Sequence, residues 1–254
     1  IGSCMSQASE KLIAIIGGTG LTEYAGLVIE KEELLETELG STSAPLVYGK
    51  LHGQPVVFLA RHGHPHKLPP NKVNYRANIL ALKNAGVTSI VAVNAVGGIT
   101  ENMGAEAICI PDQIIDYTHG REDTFFDGVF KPLDHVDFTF PYDPPLCDAL
   151  NKAAKQAGVK VQENGVYGAT QGPRLETIAE INRMEKDGCD VVGMTGMPEA
   201  VLARELDIPY ACISLVVNKA AGKSDGLITM DDIYAALENG MEKVKKIIGQ
   251  FITA

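Results

Sequence analysis

Arg61-His62-Gly63-His64 sets a permanent cation beside an imidazole, in a glycine-flanked segment directly after the apolar run Pro55 to Leu59. Such a pair suits a small dianion such as phosphate. Gly17-Gly18-Thr19-Gly20 follows another apolar run, Leu12 to Ile16. Its glycines would let backbone N–H groups converge on an anion, with the Thr19 hydroxyl as a further donor; a tight turn holding no ligand fits the same residues. Two nucleotide motifs fail at this segment. No Gly-Lys-Ser/Thr follows it, and Glu23 stands where a G-x-G-x-x-G pattern needs its third glycine. His64 and His66 lie two apart, which in extended chain turns both rings to one face, as a metal site would need. No carboxylate or cysteine is close by, and Pro65 and Lys67 read as a polar surface loop, so no metal is expected.

These residues need a scaffold that brings loops together. Short Ile- and Val-rich runs alternate with segments of helical period, the pattern of β-α units around a mostly parallel sheet. The runs predict strands at 12–16, 55–59, 89–93, 107–110, 191–194 and 210–217. A helix is predicted over 71–84, where Val73, Ala77, Leu80 and Ala81 share a face and Gly86 follows as a stop. A second is predicted from about Leu175 to Lys186, with Ile178, Ile181 and Met184 on one side, and a third from Asp231 towards Phe251. The stretch from Asp112 to Pro145 is the least regular and reads as a long functional loop. The unusual residues fall directly after strands: the two segments above, Asn94-Ala95-Val96-Gly97-Gly98, Thr195 and Asn218. In open α/β sheets that is where ligands bind, so these loops are expected to converge on one site.

Composition narrows the function. The 254 residues carry 22 basic and 32 acidic side chains, a net charge of −10, which argues against a nucleic-acid partner. With 45% hydrophobic and 21% charged residues the chain has ample material for a core, and one domain is expected over 5–254. The most apolar stretch, Ala211 to Val217, falls far short of the roughly 18 residues of a membrane helix. Five scattered cysteines without a C-x-x-C pair suit a reduced, cytoplasmic compartment. Residues 1–4 read as foreign to a natural start at Met5. A serine hydrolase lacks support because Ser214 lies inside a strand and not on a G-x-S-x-G elbow. Asp231 and Asp232 read as acids opening a helix, and Cys109 and Cys212 as inert buried thiols.

Several long segments carry a resemblance. Ile16-Gly17-Gly18-Thr19-Gly20-Leu21, Ala60-Arg61-His62-Gly63 and the run Asn71 to Ile79 closely resemble methylthioadenosine phosphorylases. Gly172-Pro173-Arg174-Leu175-Glu176-Thr177, then Gly193-Met194-Thr195 and Pro198-Glu199, resembles a pattern those enzymes share with trimeric purine nucleoside phosphorylases. The resemblance implies an α/β fold with a twisted, mixed sheet flanked by helices, usually a homotrimer. It implies phosphorolysis of an N-glycosidic bond, with inorganic phosphate as co-substrate and no other cofactor. By the same resemblance Thr19, Arg61, His62, Asn94, Ala95 and Thr195 surround phosphate, Leu175, Glu176 and Asn218 meet the base, and Met194 lies against the ribose. Asn218, His62 and Arg61 are then the catalytic candidates. By the same resemblance, the segment from His119 to Tyr142 is expected to complete the site of a neighbouring subunit.

Substrate choice follows from departures within that family. Methylthioadenosine phosphorylases carry aspartates after the last strand, whereas this chain reads Val217-Asn218-Lys219. Asn218 falls on the asparagine of the 6-oxopurine branch, whose amide can donate to O6 and accept from N7–H; Glu176 matches the glutamate that accepts N1–H. At the 5′ end, where oxopurine enzymes of this type place a histidine, Met230 offers apolar contact. The combination resembles bacterial methylthioinosine phosphorylases. The alternatives are a general inosine and guanosine phosphorylase, a methylthioadenosine phosphorylase tolerant of Asn218, and a non-catalytic nucleotide-binding module.

Overall fold

Residues 10–254, apart from the Thr19 side chain, are described by the computed structural model. The start read at Met5 and the residues ahead of it lie outside the described residues. Strands β1 (Ile13–Gly17), β6 (Gln54–Ala60), β7 (Ser89–Gly98) and β13 (Tyr210–Lys219) form the centre of the sheet. They pair in parallel in the order β13-β7-β1-β6. Their near-continuous apolar sequences match strands covered on both faces, and all five residues of β1 are buried.

Antiparallel strands extend both sides. β5 (Leu46–Leu51) pairs with β6, and β2 (Leu27–Glu33) with β5. On the other side β8 (Ile108–Ile110) runs antiparallel to β13 and carries the short β10 (Gln162–Glu163). A branch leaves β7 through the antiparallel β12 (Val191–Gly193), which leads to β11 (Val166–Ala169) and β9 (Gln113–Asp116). β3 (Glu36–Thr37) and β4 (Gly40–Ser41) make a separate two-residue ladder. The sheet is therefore mixed and flanked by helices: α1 (Tyr75–Asn84) packs on α4 (Gly196–Glu205), and α2 (Pro144–Gln156) and α5 (Met230–Thr253) pack together against β13. α3 (Ile178–Asp187) covers a smaller cluster built on Ile99, Ile181 and Met184. No helix among the described residues is long and apolar enough to cross a membrane.

Several sequence expectations are corrected. Asn94 to Gly98 is the second half of β7, not a loop, and Asn218 is inside β13, not after it. The glycines that end β7 serve close approach: a Cβ on Gly98 would sit 1.7 Å from the Met103 carbonyl oxygen. The helix predicted from Asn71 begins at Tyr75, because the Asn74 side chain accepts from the Ala77 N–H (3.0 Å) and caps it. The helix predicted from Leu175 begins at Ile178, behind a capping box made by Thr177 and Glu180. Leu175 and Glu176 are thus freed from the helix. Ile178 is exposed instead of sharing the buried side of Ile181 and Met184. The loop predicted from Asp112 to Pro145 contains β9 and gives way to α2 at Pro144, with Asp143 as its cap.

Candidate active site

The ends of β1, β6, β7, β12 and β13, together with one side of α5, enclose a cavity of about 720 Å³. Arg61, the first residue after β6, is held there by its N–H, which donates to the Gly17 carbonyl at 3.1 Å. Its guanidinium is 2% exposed and makes a bidentate pair with Glu199, Nε to Oε2 at 2.6 Å and Nη2 to Oε1 at 2.7 Å. Tyr210 donates to the same carboxylate at 2.8 Å, and Nη1 donates to the Val93 carbonyl at 3.2 Å. Burial alone would loosen the arginine proton, but the Glu199 carboxylate more than compensates and fixes the charge. Three of the five guanidinium N–H groups are thereby used, leaving one on each Nη for a ligand.

His62 also walls the cavity. Its Nδ1 lies 2.9 Å from the Leu68 carbonyl, and its ring stacks on His66 with centroids 4.4 Å apart. Burial first, and then the Arg61 charge, lower its pKa to about 4, so the ring is neutral at pH 7. The stack on His66 gives that histidine a different place from the metal spacing tested in the sequence; His64 is exposed.

Thr195 precedes α4, and its hydroxyl accepts from Asn94 Nδ2 at 2.8 Å. The other end of the Asn94 amide accepts from the Cys212 thiol. Burial pushes that thiol up to about 12, so it stays protonated as the donor. Asn94 therefore spends its oxygen and one N–H on protein groups and acts chiefly by aiming the Thr195 hydroxyl. Ala95 lies beside it, exposed to the cavity. Gly18 and Gly20 of the turn after β1 also line the cavity. The Thr19 side chain lies outside what is described.

Asn218 sits at a β-bulge. Val216 pairs with Val96 but Asn218 with Gly97, so Val217 is an extra residue. In a regular strand adjacent side chains point to opposite faces; here Val217 and Asn218 both line the cavity. Asn218 Nδ2 donates to the Lys219 carbonyl at 2.8 Å, which leaves Oδ1 and one N–H available. Glu176 accepts from Thr170 Oγ1 on Oε2 at 2.9 Å, and burial raises its pKa. Leu175 and Met194 complete this wall. Met230, by contrast, is 55% exposed at the start of α5 and is not among the residues that wall the cavity; Ile228 and Ile233 are.

Residues 12–253 match the phosphorylase superfamily over nearly the whole chain. The chain belongs to that superfamily. Among its phosphorylase relatives is a probable S-methyl-5′-thioinosine phosphorylase of Pseudomonas syringae pv. tomato, 54% identical over 95% of this chain and 98% of the relative. A 6-oxopurine nucleoside phosphorylase of Pyrococcus furiosus is 42% identical over 93% of this chain and 90% of the relative. The crystal structure of a methylthioadenosine phosphorylase from an antarctic soil metagenomic library superimposes with a TM-score of 0.89, at 37% identity, covering 96% of this chain and 86% of that one.

The phosphorylase site also uses residues that the sequence did not single out. Tyr210 braces Glu199, and Thr170 braces Glu176. Arg121 has its guanidinium among carbonyl groups, donating to Met194 and Met197 at 2.8 Å each and to Gln171 at 2.9 Å. It thereby ties the irregular segment after β9 to the cavity walls. Ile233, Leu237 and Met241 face the cavity from α5, and their spacing of four is a helical stripe readable in the sequence.

Proposed function

We propose that the protein phosphorolyses S-methyl-5′-thioinosine to hypoxanthine and 5-methylthioribose 1-phosphate. The observation that carries this reading is one cavity lined by two chemically distinct sets of residues. Arg61, His62 and Thr195 can hold phosphate, while Asn218 and Glu176 can read a 6-oxopurine. The relative at 54% identity, named for the same substrate, supports it.

As the glycosidic bond breaks, positive charge develops on the ribosyl carbon and negative charge on the departing base. A phosphate fixed by Arg61 and Thr195 stabilises the first and attacks the same carbon. Asn218 addresses the second. With Nδ2 tied to Lys219, the remaining N–H can donate to O6 while Oδ1 accepts from protonated N7. Thr170 holds the Glu176 carboxylate so that it can accept N1–H, which an adenine lacks. Inorganic phosphate is the second substrate, and these steps call for no further cofactor.

The methylthio group would rest on apolar side chains, Ile228 and Ile233 from the cavity with Met230 closing over them. A second reading, a general 6-oxopurine nucleoside phosphorylase, is favoured by the exposure of Met230 and its place off the cavity wall. The exposed Val129, Leu133 and Phe140 on the segment after β9 support assembly as a homotrimer in which that segment completes a neighbour's site. Among the described residues, four buried, free cysteines fit a reducing cytoplasm.

The test is the rate of base release from S-methyl-5′-thioinosine, inosine and S-methyl-5′-thioadenosine, each with and without phosphate. Strong preference for the first, with absolute phosphate dependence, is expected. Equal rates on inosine would select the second reading; preference for the adenosine would overturn the base assignment, and turnover without phosphate would overturn phosphorolysis.

A further inference from the structure

Ile233, Leu237 and Met241 stand on successive turns of α5, and all three line the cavity. Their stripe runs for about 12 Å along the helix, at about 1.5 Å per residue. With the methylthio group resting at Ile233, a single S-methyl covers roughly one turn of about 5 Å. The half-buried Leu237 and Met241 then extend an apolar wall beyond the end of the substrate.

Along the same stretch the chemistry changes. Glu238, Glu242 and Lys245 line the cavity from α5, with Glu23 from the segment after β1. The Lys245 side chain is only 16% exposed; its Nζ lies 3.5 Å from Glu242 Oε1 and 5.8 Å over the centre of the Tyr24 ring. The Tyr24 hydroxyl in turn donates to the Lys245 carbonyl at 3.3 Å. An ammonium carries three N–H donors and Glu242 takes one, so Lys245 keeps donors for an anion. Glu23 and Glu238 have no ion-pair partner among the described residues and can receive a cation. A held cation beside unpaired carboxylates, along an apolar stripe, is the complement of a zwitterion on an apolar stem.

We propose that the site also phosphorolyses 6-oxopurine nucleosides whose 5′-sulfur carries a short alkyl chain ending in an α-amino acid, with the ammonium on Glu238 and the carboxylate on Lys245. The inference rests on the cavity being an oxopurine nucleoside phosphorylase site with the 5′ group towards α5. In S-inosyl-L-homocysteine four bonds separate sulfur from the amine, a reach of roughly 5 Å. Glu238 lies about 7.5 Å further along the helix than Ile233, and the difference is about one hydrogen bond. In the reaction a phosphate oxygen bonds to C1′ as the C1′–N9 bond breaks, and the bond's electron pair leaves with the base. The proton of hydrogen phosphate balances the one that hypoxanthine takes up, and the amino acid stays unchanged on the ribose 1-phosphate.

The test is phosphate-dependent hypoxanthine release from S-inosyl-L-homocysteine, S-methyl-5′-thioinosine and 5′-propylthioinosine, the last having the same stem without charges. The kcat/KM for the amino-acid substrate is expected within about tenfold of that for the methylthio substrate, and about threefold or more above the propylthio analogue at low ionic strength. That advantage should vanish near 1 M salt, where screening reaches about 3 Å. Glu238→Lys is expected to lower the ratio of amino-acid to propylthio kcat/KM by about five- to tenfold, since it replaces an attraction by a repulsion. No turnover of S-inosyl-L-homocysteine, no advantage of the charged head, or a ratio unmoved in E238K overturns the proposal. Should E238K fold poorly, the salt dependence of the wild type reads the same contact, and an advantage that salt leaves intact overturns it. Normal turnover of the methylthio substrate beside a failing amino-acid substrate removes only this inference. Failure of all three substrates removes the phosphorylase reading of the cavity as well.

Discussion

Arg61 and Glu199 form the buried charge pair on which the phosphate wall depends. Both are almost fully removed from water, and the two short bonds between them set the plane of the guanidinium. Removing one partner of such a pair leaves an uncompensated charge, at a cost of about 3–5 kcal/mol. Glu199→Gln is expected to lower stability by that order in denaturant melts and to raise the KM for phosphate about tenfold or more. The nucleoside KM should stay nearly constant. Glu199 touches no ligand and acts by positioning Arg61, so E199D, which keeps the charge, should recover part of the phosphate affinity. A phosphate KM unmoved by E199Q would show that Arg61 finds its orientation without it. His62 makes a separate, pH-dependent contribution. Its pKa falls from 6.5 in the unfolded chain to about 4 in the fold, so the unfolded state takes up the proton first. The associated stability is complete above about pH 6.5 and is lost as the pH drops towards 4, by about 3 kcal/mol in all. Melts of wild type and H62Q across that window should converge at low pH; parallel curves would contradict the depressed value.

At the scale of elements, the catalytic geometry depends on two strands that run further than their sequences suggest. β7 continues through Gly97 and Gly98 because those glycines admit β12 and the Met103 backbone at short range. Gly98→Ala would force its methyl into the Met103 carbonyl, and a loss of at least about 1–3 kcal/mol is expected in thermal or denaturant melts. An unchanged melting point would mean that the 98–103 turn relaxes freely. The same feature explains what the sequence could and could not disclose. Uniform apolar runs made the central parallel strands legible, and the capped ends of α1, α3 and α5 could be placed to within a few residues. β2 escaped notice because its residues are mostly exposed and charged, as an edge strand's can be, and β9, β10 and β11 because they are only two to four residues long. α4 carries Gly196 and Pro198 in its first turn, residues that read as a break. Arg61, His62, Asn94, Thr195 and Asn218 stand out by type and by position after apolar runs, and Glu176 by the family resemblance alone. The pairing of Arg61 with Glu199 and the bulge at Val217 do not, since both arise from contacts between distant segments.

Taken whole, the molecule binds an anion while carrying ten excess negative charges. Even the cavity wall has four carboxylates, Glu23, Glu176, Glu238 and Glu242, against the two cations Arg61 and Lys245, and Arg61 is already matched by Glu199. Long-range repulsion therefore opposes phosphate entry, and only short-range donors favour it. Raising ionic strength from about 10 mM to about 150 mM shortens the screening length from about 30 Å to about 8 Å, and the phosphate KM is expected to fall by roughly twofold. A KM that rises with inert salt would show that the local cations dominate the field. The distance along the chain between Arg61 and Glu199 has a consequence for synthesis. They are 138 positions apart, so a ribosome adding about 5–20 residues per second delivers the carboxylate roughly 7–28 s after the guanidinium. Until then the nascent β1–β6 segment carries a cation that it cannot desolvate, and its core must stay open around Arg61. A prematurely terminated chain lacking Glu199 is for the same reason a poor fold and a ready substrate for cellular proteases, so partial products with a half-built phosphate site do not persist.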